Sequence, residues 1–224
     1  MPRKNVVKEY VANGYYHIYN RGVDKSVIFK DEQDYAVFLK FLKEYLLPPN
    51  HPELEKLRLI CPTRNPINCH DEIVLNAFCL LPNHYHLFVK QITDEGLKTF
   101  MKALNTNYSM YFNKKYDRVG PLFQGTYKAI LVRSESYLVH LSRYIHLNPR
   151  ETLKEAQKLE DYPYSSYGAY LGKRNIEWVD RHSILEMFGR NIGTAKANYK
   201  NFVEADLESG EDDSLLPQNL AIES

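Results

Sequence analysis

The spacing of apolar residues changes several times along the chain, and each change marks a structural element. Tyr15–Asn20, YYHIYN, has strand character and is followed by the turn signal Arg21-Gly22. From Asp31 the period lengthens, with Tyr35, Phe38, Leu39 and Leu42 at helical spacing up to Leu47. Residues 48–72 hold five of the eleven prolines and keep neither period, which predicts an irregular insert. Ile73–Leu80 and His84–Lys90 then read as two strands of a hairpin joined at Leu81-Pro82-Asn83.

Leu97, Phe100, Met101, Leu104, Tyr108, Tyr111 and Phe112 form one continuous apolar helix face. Gly120-Pro121 interrupts the chain, Thr126–Val132 (TYKAILV) returns to strand, and Ser134 can cap a helix running to Asn148, where Pro149 stops it. The order β-α-β-β-α-β-α predicts an α+β fold of ferredoxin-like (RRM-like) type, an antiparallel sheet with helices on one face. Residues 1–175 are expected to form the main domain, carrying the insert 48–72. A helical extension follows over 176–205, with helices near 181–190 and 194–205, and then an acidic tail, 206–224, expected to be disordered.

Composition narrows the class without naming it. At 44% hydrophobic and 25% charged residues the chain is ordinary for a globular protein, whereas eighteen tyrosines against one tryptophan suit polar, partly exposed surfaces. Cys61, Cys69 and Cys79 give no even disulfide framework, the N-terminus MPRKNVVKEY has no apolar signal region, and no run of about 18 apolar residues occurs. The expected location is the cytoplasm, with no membrane partner. The net charge of +1 hides an asymmetry: Glu204–Ser224 contains seven acids and no Lys or Arg, so residues 1–203 carry 29 basic against 21 acidic residues. A basic body with an acidic tail fits a nucleic-acid binder, and fits equally a soluble domain with a solvated end.

The residues able to do chemistry lie in the hairpin and the helix after Ser134. His84 and His86 flank Tyr85 on a strand, so both imidazoles point to one face and Tyr85 to the other. Two imidazoles can hold a divalent metal but cannot complete a site, and a bare H-x-H is more often a pair of surface histidines. Tyr144 and Asn148 lie four apart, hence on one helix face. Asn148 offers a carbonyl oxygen to a hard cation, while Tyr144 offers a phenol, either a nucleophile or a packing group between Leu141 and Ile145. With a phenol pKa of ~10, attack near neutral pH needs an electrophile already polarised.

Four stretches in order, YHIYNRG, LPNHYHLFV, FQGTYKA and RYIHLNP, resemble the REP-associated tyrosine transposases, a group within the single-tyrosine HUH transposases. The resemblance spans roughly Tyr15 to Pro149. It implies a metal, Mg²⁺ or Mn²⁺, held by His84, His86 and Asn148, and Tyr144 as nucleophile. It further implies a transposase that cuts single-stranded DNA at hairpin-associated sites (repetitive extragenic palindrome-like) through a 5′-phosphotyrosine, at the nucleoid. The chain has no G-x-x-x-x-G-K-[ST] loop, in keeping with transesterification without nucleotide hydrolysis. The other reading is a non-catalytic module that binds single-stranded or hairpin nucleic acid, its tyrosines serving as base platforms.

For DNA contacts the candidates are Arg21, Lys128, Arg133, Lys114, Lys115 and Arg118, with Lys102 and Arg143 as further cations, and Arg21 and Lys128 are favoured because they fall in the resembling stretches. Tyr108 and Tyr111 belong to an apolar face and read as core. Tyr137 shares the face of Tyr144 but lacks the Y-x-x-x-Y spacing of two-tyrosine enzymes. His17 and His146 could sit near the metal but read more readily as polar-surface histidines, and Cys61, Cys69 and His70 lack the paired spacing of a zinc finger. A homodimer, with the site served in cis or in trans, stays open.

Overall fold

The computed structural model describes residues 9–60, 67–153 and 157–205. Its sheet contains β1 (Tyr15–Arg21), β2 (Ile73–Leu81), β3 (His84–Gln91) and β4 (Lys128–Val132), in the spatial order β2-β3-β1-β4 with every neighbouring pair antiparallel. The crossover from β1 to β2 contains α1 (Glu32–Leu46) and α2 (Pro52–Ile60), and the crossover from β3 to β4 contains α3 (Gly96–Lys115). This is the ferredoxin-like α+β arrangement. After it come α4 (Glu135–Leu147), α5 (Tyr167–Tyr170), α6 (His182–Leu185) and α7 (Ile192–Glu204).

Local chemistry explains most boundaries. Asp31 caps α1, its side chain accepting from the Asp34 amide. The insert is more ordered than its proline content predicts, because α2 forms within it. Pro52 opens that helix, where no amide donor is needed, Glu53 and Glu55 favour the positive end of its dipole, and Leu54 is buried. Residues 61–66, with Cys61, and the acidic tail lie outside the described residues. Pro149 does not stop the chain's helical path: Asn148 keeps helical dihedrals and starts a 3₁₀ stretch over Asn148–Thr152, its amide Nδ2 donating to the Tyr144 carbonyl at 2.7 Å.

Strand alternation divides the sheet into two faces. On one, Tyr16 and Ile18 of β1 and Tyr85, Leu87 and Val89 of β3 are buried beneath α1 and α3. Phe38 packs on Tyr85 with ring centroids 5.2 Å apart, and the Tyr85 hydroxyl donates to Asn105 Oδ1 at 2.7 Å. The two crossover helices thus share one face, as the pattern predicts. Helix α4 lies on the other face, and the chain after it runs along the edge of β2, where Ser165 bridges Cys79 and the Leu80 amide donates to the Tyr164 carbonyl, before α6 and α7 pack on α4.

The turn between β2 and β3 is gripped by the loop after β1. The Gly22 amide donates to the Asn83 carbonyl at 2.9 Å, and the amides of Ile28 and Phe29 donate to the Pro82 carbonyl at 2.8 and 3.0 Å. Gly22 is needed there because a Cβ would stand 2.1 Å from the Ser26 carbonyl oxygen. The turn is therefore braced on its outer side, not a free hairpin end.

At the far end of α3 a buried carboxylate is neutralised. Asp34 is 0% exposed and accepts from the Lys30 amide, the Tyr111 and Tyr116 hydroxyls and Lys115 Nζ. Burial alone would raise its pKa, but the hydrogen bonds, led by that of Lys115, outweigh burial and hold it below the usual carboxylate value. Replacing Lys115 with Met leaves this carboxylate buried beside its remaining neutral donors. Lys115→Met should therefore lower unfolding stability by about 3 kcal/mol in urea titrations. A loss below about 0.5 kcal/mol would show that Lys115 is a solvated surface cation.

Candidate active site

The sheet face opposite α1 and α3 brings the candidate residues together. In the β1–β3 register Tyr19 lies beside His86, His17 beside Phe88 and Arg21 beside His84, and β4 adds Lys128 beside Tyr19. Directly paired residues of antiparallel strands project to the same side, so His17, Tyr19, Arg21, His84, His86 and Lys128 share this face. The His84 and His86 rings stand 5.1 Å apart between centroids. Helix α4 crosses the same face and sets the Tyr144 ring edge-on to both His86 and His17, at 5.4 and 5.8 Å between centroids.

His17 is not a surface histidine. It is fully buried, its Nε2 2.8 Å from His86 Nδ1. The surface reading failed because a single His in a β-prone stretch carries no sign of what its neighbouring strand holds. The one available signal was its place in the YHI motif. Burial pushes the His17 pKa down to about 3 and that of His86 well below its ordinary value, with His17 and His84 adding to the effect on His86. His84, lowered to about 4 by burial and then by the nearby Arg21 charge, stays neutral at pH 7 as well. Neutral imidazoles are the form in which histidine ligates a metal.

The residues fit a divalent ion on two counts. His86 Nε2 is buried and without a hydrogen-bond partner, an uncommon state for a buried polar atom and one that a bound cation would relieve. Asn148, one turn beyond Tyr144, commits its Nδ2 to a backbone carbonyl, which leaves Oδ1 as the atom able to face a cation. No cluster of three or more His, Cys, Asp or Glu suited to a metal occurs among the described residues.

The remaining candidates fall in different places. Arg21 reaches towards Gln124 Oε1 at 3.4 Å and borders His84, while Lys128 lies on the row of Tyr19 and His86, about 10 Å from His86 by strand spacing. Arg133, just past β4, pairs with Glu9 at 2.6 Å. Lys114, Lys115 and Arg118 lie at the end of α3, in the layer across the sheet. There Lys115 pairs with Asp31 and Asp34, and Arg118 hydrogen-bonds Asn113. Lys102 borders a separate groove of about 1020 Å³ between α3 and the segment 120–127. Arg143 is buried and donates to the Val203 carbonyl at 3.4 Å.

Among the rival tyrosines, Tyr108 is buried, Tyr111 binds Asp34 and Tyr137 is exposed. Cys69 is buried and His70 Nδ1 bonds the Leu46 carbonyl. His146, read from sequence as a surface residue, is also fully buried. It faces away from Tyr144, two residues along the helix, and contacts the Tyr199 hydroxyl and Ser166 Oγ, each at 2.7 Å.

An antiparallel sheet carrying a histidine pair under a helix-borne tyrosine is the architecture to set beside known proteins. The model of the family described as "Transposase IS200 like" matches residues 62–148. That segment contains the hairpin histidines, β4, Tyr144 and Asn148, so the resemblance read from the motifs holds where the candidate chemistry lies. No curated protein matches the chain. Among solved structures, the REP-associated tyrosine transposase bound to a REP hairpin aligns with TM-score 0.48 and 13% identity, covering 80% of this chain and 98% of its own. The tRNA(His) guanylyltransferase from Saccharomyces cerevisiae aligns with TM-score 0.32 and 12% identity, covering 95% of this chain and 86% of its own. No described helix is long and apolar enough to cross a membrane.

The buried neutral histidines make the metal-free fold sensitive to acid. Unfolded, each imidazole titrates near its ordinary value of about 6.5; folded, it resists protonation down to about 4 for His84 and about 3 for His17 and His146. The unfolded chain therefore binds more protons below about pH 6.5, and stability present above that value is lost as pH falls towards 4. In EDTA, the urea midpoint should drop steadily between pH 7.5 and 5. A midpoint that does not move over this range would show that these rings are not held neutral.

Proposed function

We propose that the protein is a metal-dependent, single-stranded DNA endonuclease and strand transferase of the single-tyrosine type, acting at hairpin-associated sites. The observation that carries this reading is the meeting of Tyr144 with His86, whose buried Nε2 has no partner, on one sheet face. His84, His86 and Asn148 would hold the ion, with Mg²⁺ or Mn²⁺ fitting a set of two nitrogens and one oxygen that leaves positions open. When bound, the ion supplies positive charge to the scissile phosphate and makes its phosphorus a better electrophile.

The chain's own groups do the rest. Tyr144 gives up its phenol proton to water and delivers its oxygen to the phosphorus, a P–O bond to tyrosine forms, the bond to the 3′ oxygen breaks, and that oxygen takes a proton from water to leave as a hydroxyl, so no net proton is gained or lost. The 5′ phosphate stays on Tyr144, so the reverse attack by a 3′ hydroxyl reseals the strand. Arg21 and Lys128, which border this face, are suited to neighbouring phosphates and would fix the strand's register without reading bases. Packing of α4 on the sheet holds the Tyr144 ring beside His86, and alignment of a nucleophile with the groups that polarise its target is worth several kcal/mol of barrier, on the order of 7–11 at best.

Incubated with a hairpin oligonucleotide bearing a single-stranded flank and with Mn²⁺, the protein should give an adduct that survives SDS, with the nucleotide on the Tyr144 peptide by mass spectrometry. Tyr144→Phe should bind the hairpin within about twofold of wild type and give no adduct, whereas Tyr108→Phe, Tyr111→Phe and Tyr137→Phe should keep it. An adduct on another tyrosine would move the nucleophile, and sound binding with no adduct under any divalent metal would leave a binding module. His84→Ala and His86→Ala should each abolish cleavage while leaving hairpin affinity largely intact, as EDTA should in the wild type. Cleavage that persists in EDTA would remove the metal from the reading.

A further inference from the structure

The contact between Asn83 and His84 is fixed from several sides. Its backbone is held by Gly22, its preceding residue Pro82 by Ile28 and Phe29, and its side chain has two partners that settle which way the amide points. Asn83 Nδ2 lies 3.3 Å from the Lys25 carbonyl oxygen. A carbonyl can only accept, so the NH₂ end must face Lys25 and Oδ1 must face the other way. On that other side is His84 Nδ1, at 2.6 Å. An amide oxygen also only accepts, so His84 Nδ1 must carry the hydrogen. A neutral imidazole has one N–H, and the Nε2 of His84 is therefore a bare lone pair.

His86 presents the same question. Its Nδ1 is 2.8 Å from His17 Nε2, and the two atoms left over, His86 Nε2 and His17 Nδ1, are both buried without partners. One of the two facing nitrogens donates. If His17 donates, His86 Nε2 bears a buried hydrogen that no acceptor meets and that blocks ligation. If His86 donates, its Nε2 offers a lone pair and the unmet buried hydrogen falls on His17 Nδ1 instead, so hydrogen bonding alone does not choose between the two and a cation at His86 Nε2 selects the second.

We propose that Asn83 and His17 are positioning residues that hold His84 and His86 as Nδ1-protonated imidazoles, so that both Nε2 lone pairs are presented to one divalent cation. The assignment of His84 follows from donor and acceptor identities alone, while that of His86 rests on the metal reading given under Proposed function. Free imidazole side chains in water favour the opposite, Nε2-protonated form, so the protein works against the default. Outer partners of this kind fix ring orientation and tautomer, and their loss commonly costs 10–100-fold in metal affinity.

The tautomers can be read directly. In the full chain, labelled with ¹⁵N at histidine, free of metal and at pH 7.5, long-range ¹H–¹⁵N correlation should show His84 and His86 both protonated at Nδ1. Asn83→Leu should return His84 to the Nε2-protonated form and raise the Mn²⁺ Kd, measured by calorimetry, by about 10–100-fold. Asn83→Asp, which keeps an oxygen acceptor, should hold the tautomer. His17→Gln can still accept from His86 and should keep its Nδ1–H pattern, whereas His17→Leu should lose it. An Nε2-protonated His84 in the wild type overturns the proposal, as does Asn83→Leu with both tautomer and Kd unchanged. Should Asn83→Leu fail to fold, the wild-type spectrum and Asn83→Asp decide. Both rings protonated at Nδ1 in a protein that binds no Mn²⁺ and cleaves in EDTA would uphold the tautomers and overturn the cation, which separates this inference from the functional reading.

Discussion

The antiparallel register of β1 against β3 is the constraint from which the site follows. These are the two central strands, and their pairing sets His17 next to Phe88, Tyr19 next to His86 and Arg21 next to His84. Because side chains alternate with a period of two, a slip of one residue would turn His17, Tyr19 and Arg21 into the core and bring Tyr16 and Ile18 out of it. The slip is opposed from both directions. The buried row Tyr16, Ile18, Leu87 and Val89 has no other place to go, and the backbone bonds from Gly22, Ile28 and Phe29 pin the end of the hairpin.

Seen this way, the NRG and LPN portions of the motifs are two halves of one joint. Gly22 permits the close approach of the loop after β1, Pro82 supplies a carbonyl with two donors, and Asn83 extends the same bracing into a side chain that meets His84. The histidines thus stand on a strand whose end cannot fray independently of its neighbour. Side chains mounted on rigid elements in this way keep their spacing without a ligand to gather them.

How much of this was legible in the sequence depends on whether the information is local. The hairpin, the common face of His84 and His86, the Asp31 cap and the Tyr144–Asn148 spacing were all readable, since each follows from a strand or helix period or a neighbouring side chain. What failed was non-local. The burial of His17 and His146 depends on elements far along the chain, Lys115 is absorbed by Asp34 across 81 positions, and Arg143 by the carbonyl of Val203. Helix α2 was missed for a different reason: prolines read as breakers are compatible with a helix when they stand at its start, as Pro52 does. Cations are the least legible residues, because nothing in a lysine's immediate neighbours tells a phosphate contact from an internal counter-ion.

Helix α4 is supported on both sides. Its Tyr144 side meets the sheet, and behind it a chain of hydrogen bonds runs from His146 Nδ1–H to the Tyr199 hydroxyl, on to Ser142 Oγ at 3.0 Å, and from there to the Val139 carbonyl at 2.8 Å. Every donor in that chain has an acceptor, and the Ser166 hydroxyl closes it at His146 Nε2. The C-terminal helix is therefore part of the mounting of the tyrosine, although it lies past the segment that carries the family resemblance. The packing around α4 thus reaches Tyr199 and, through Arg143, the Val203 carbonyl, so the support behind Tyr144 runs well beyond the point where the recognisable motifs end.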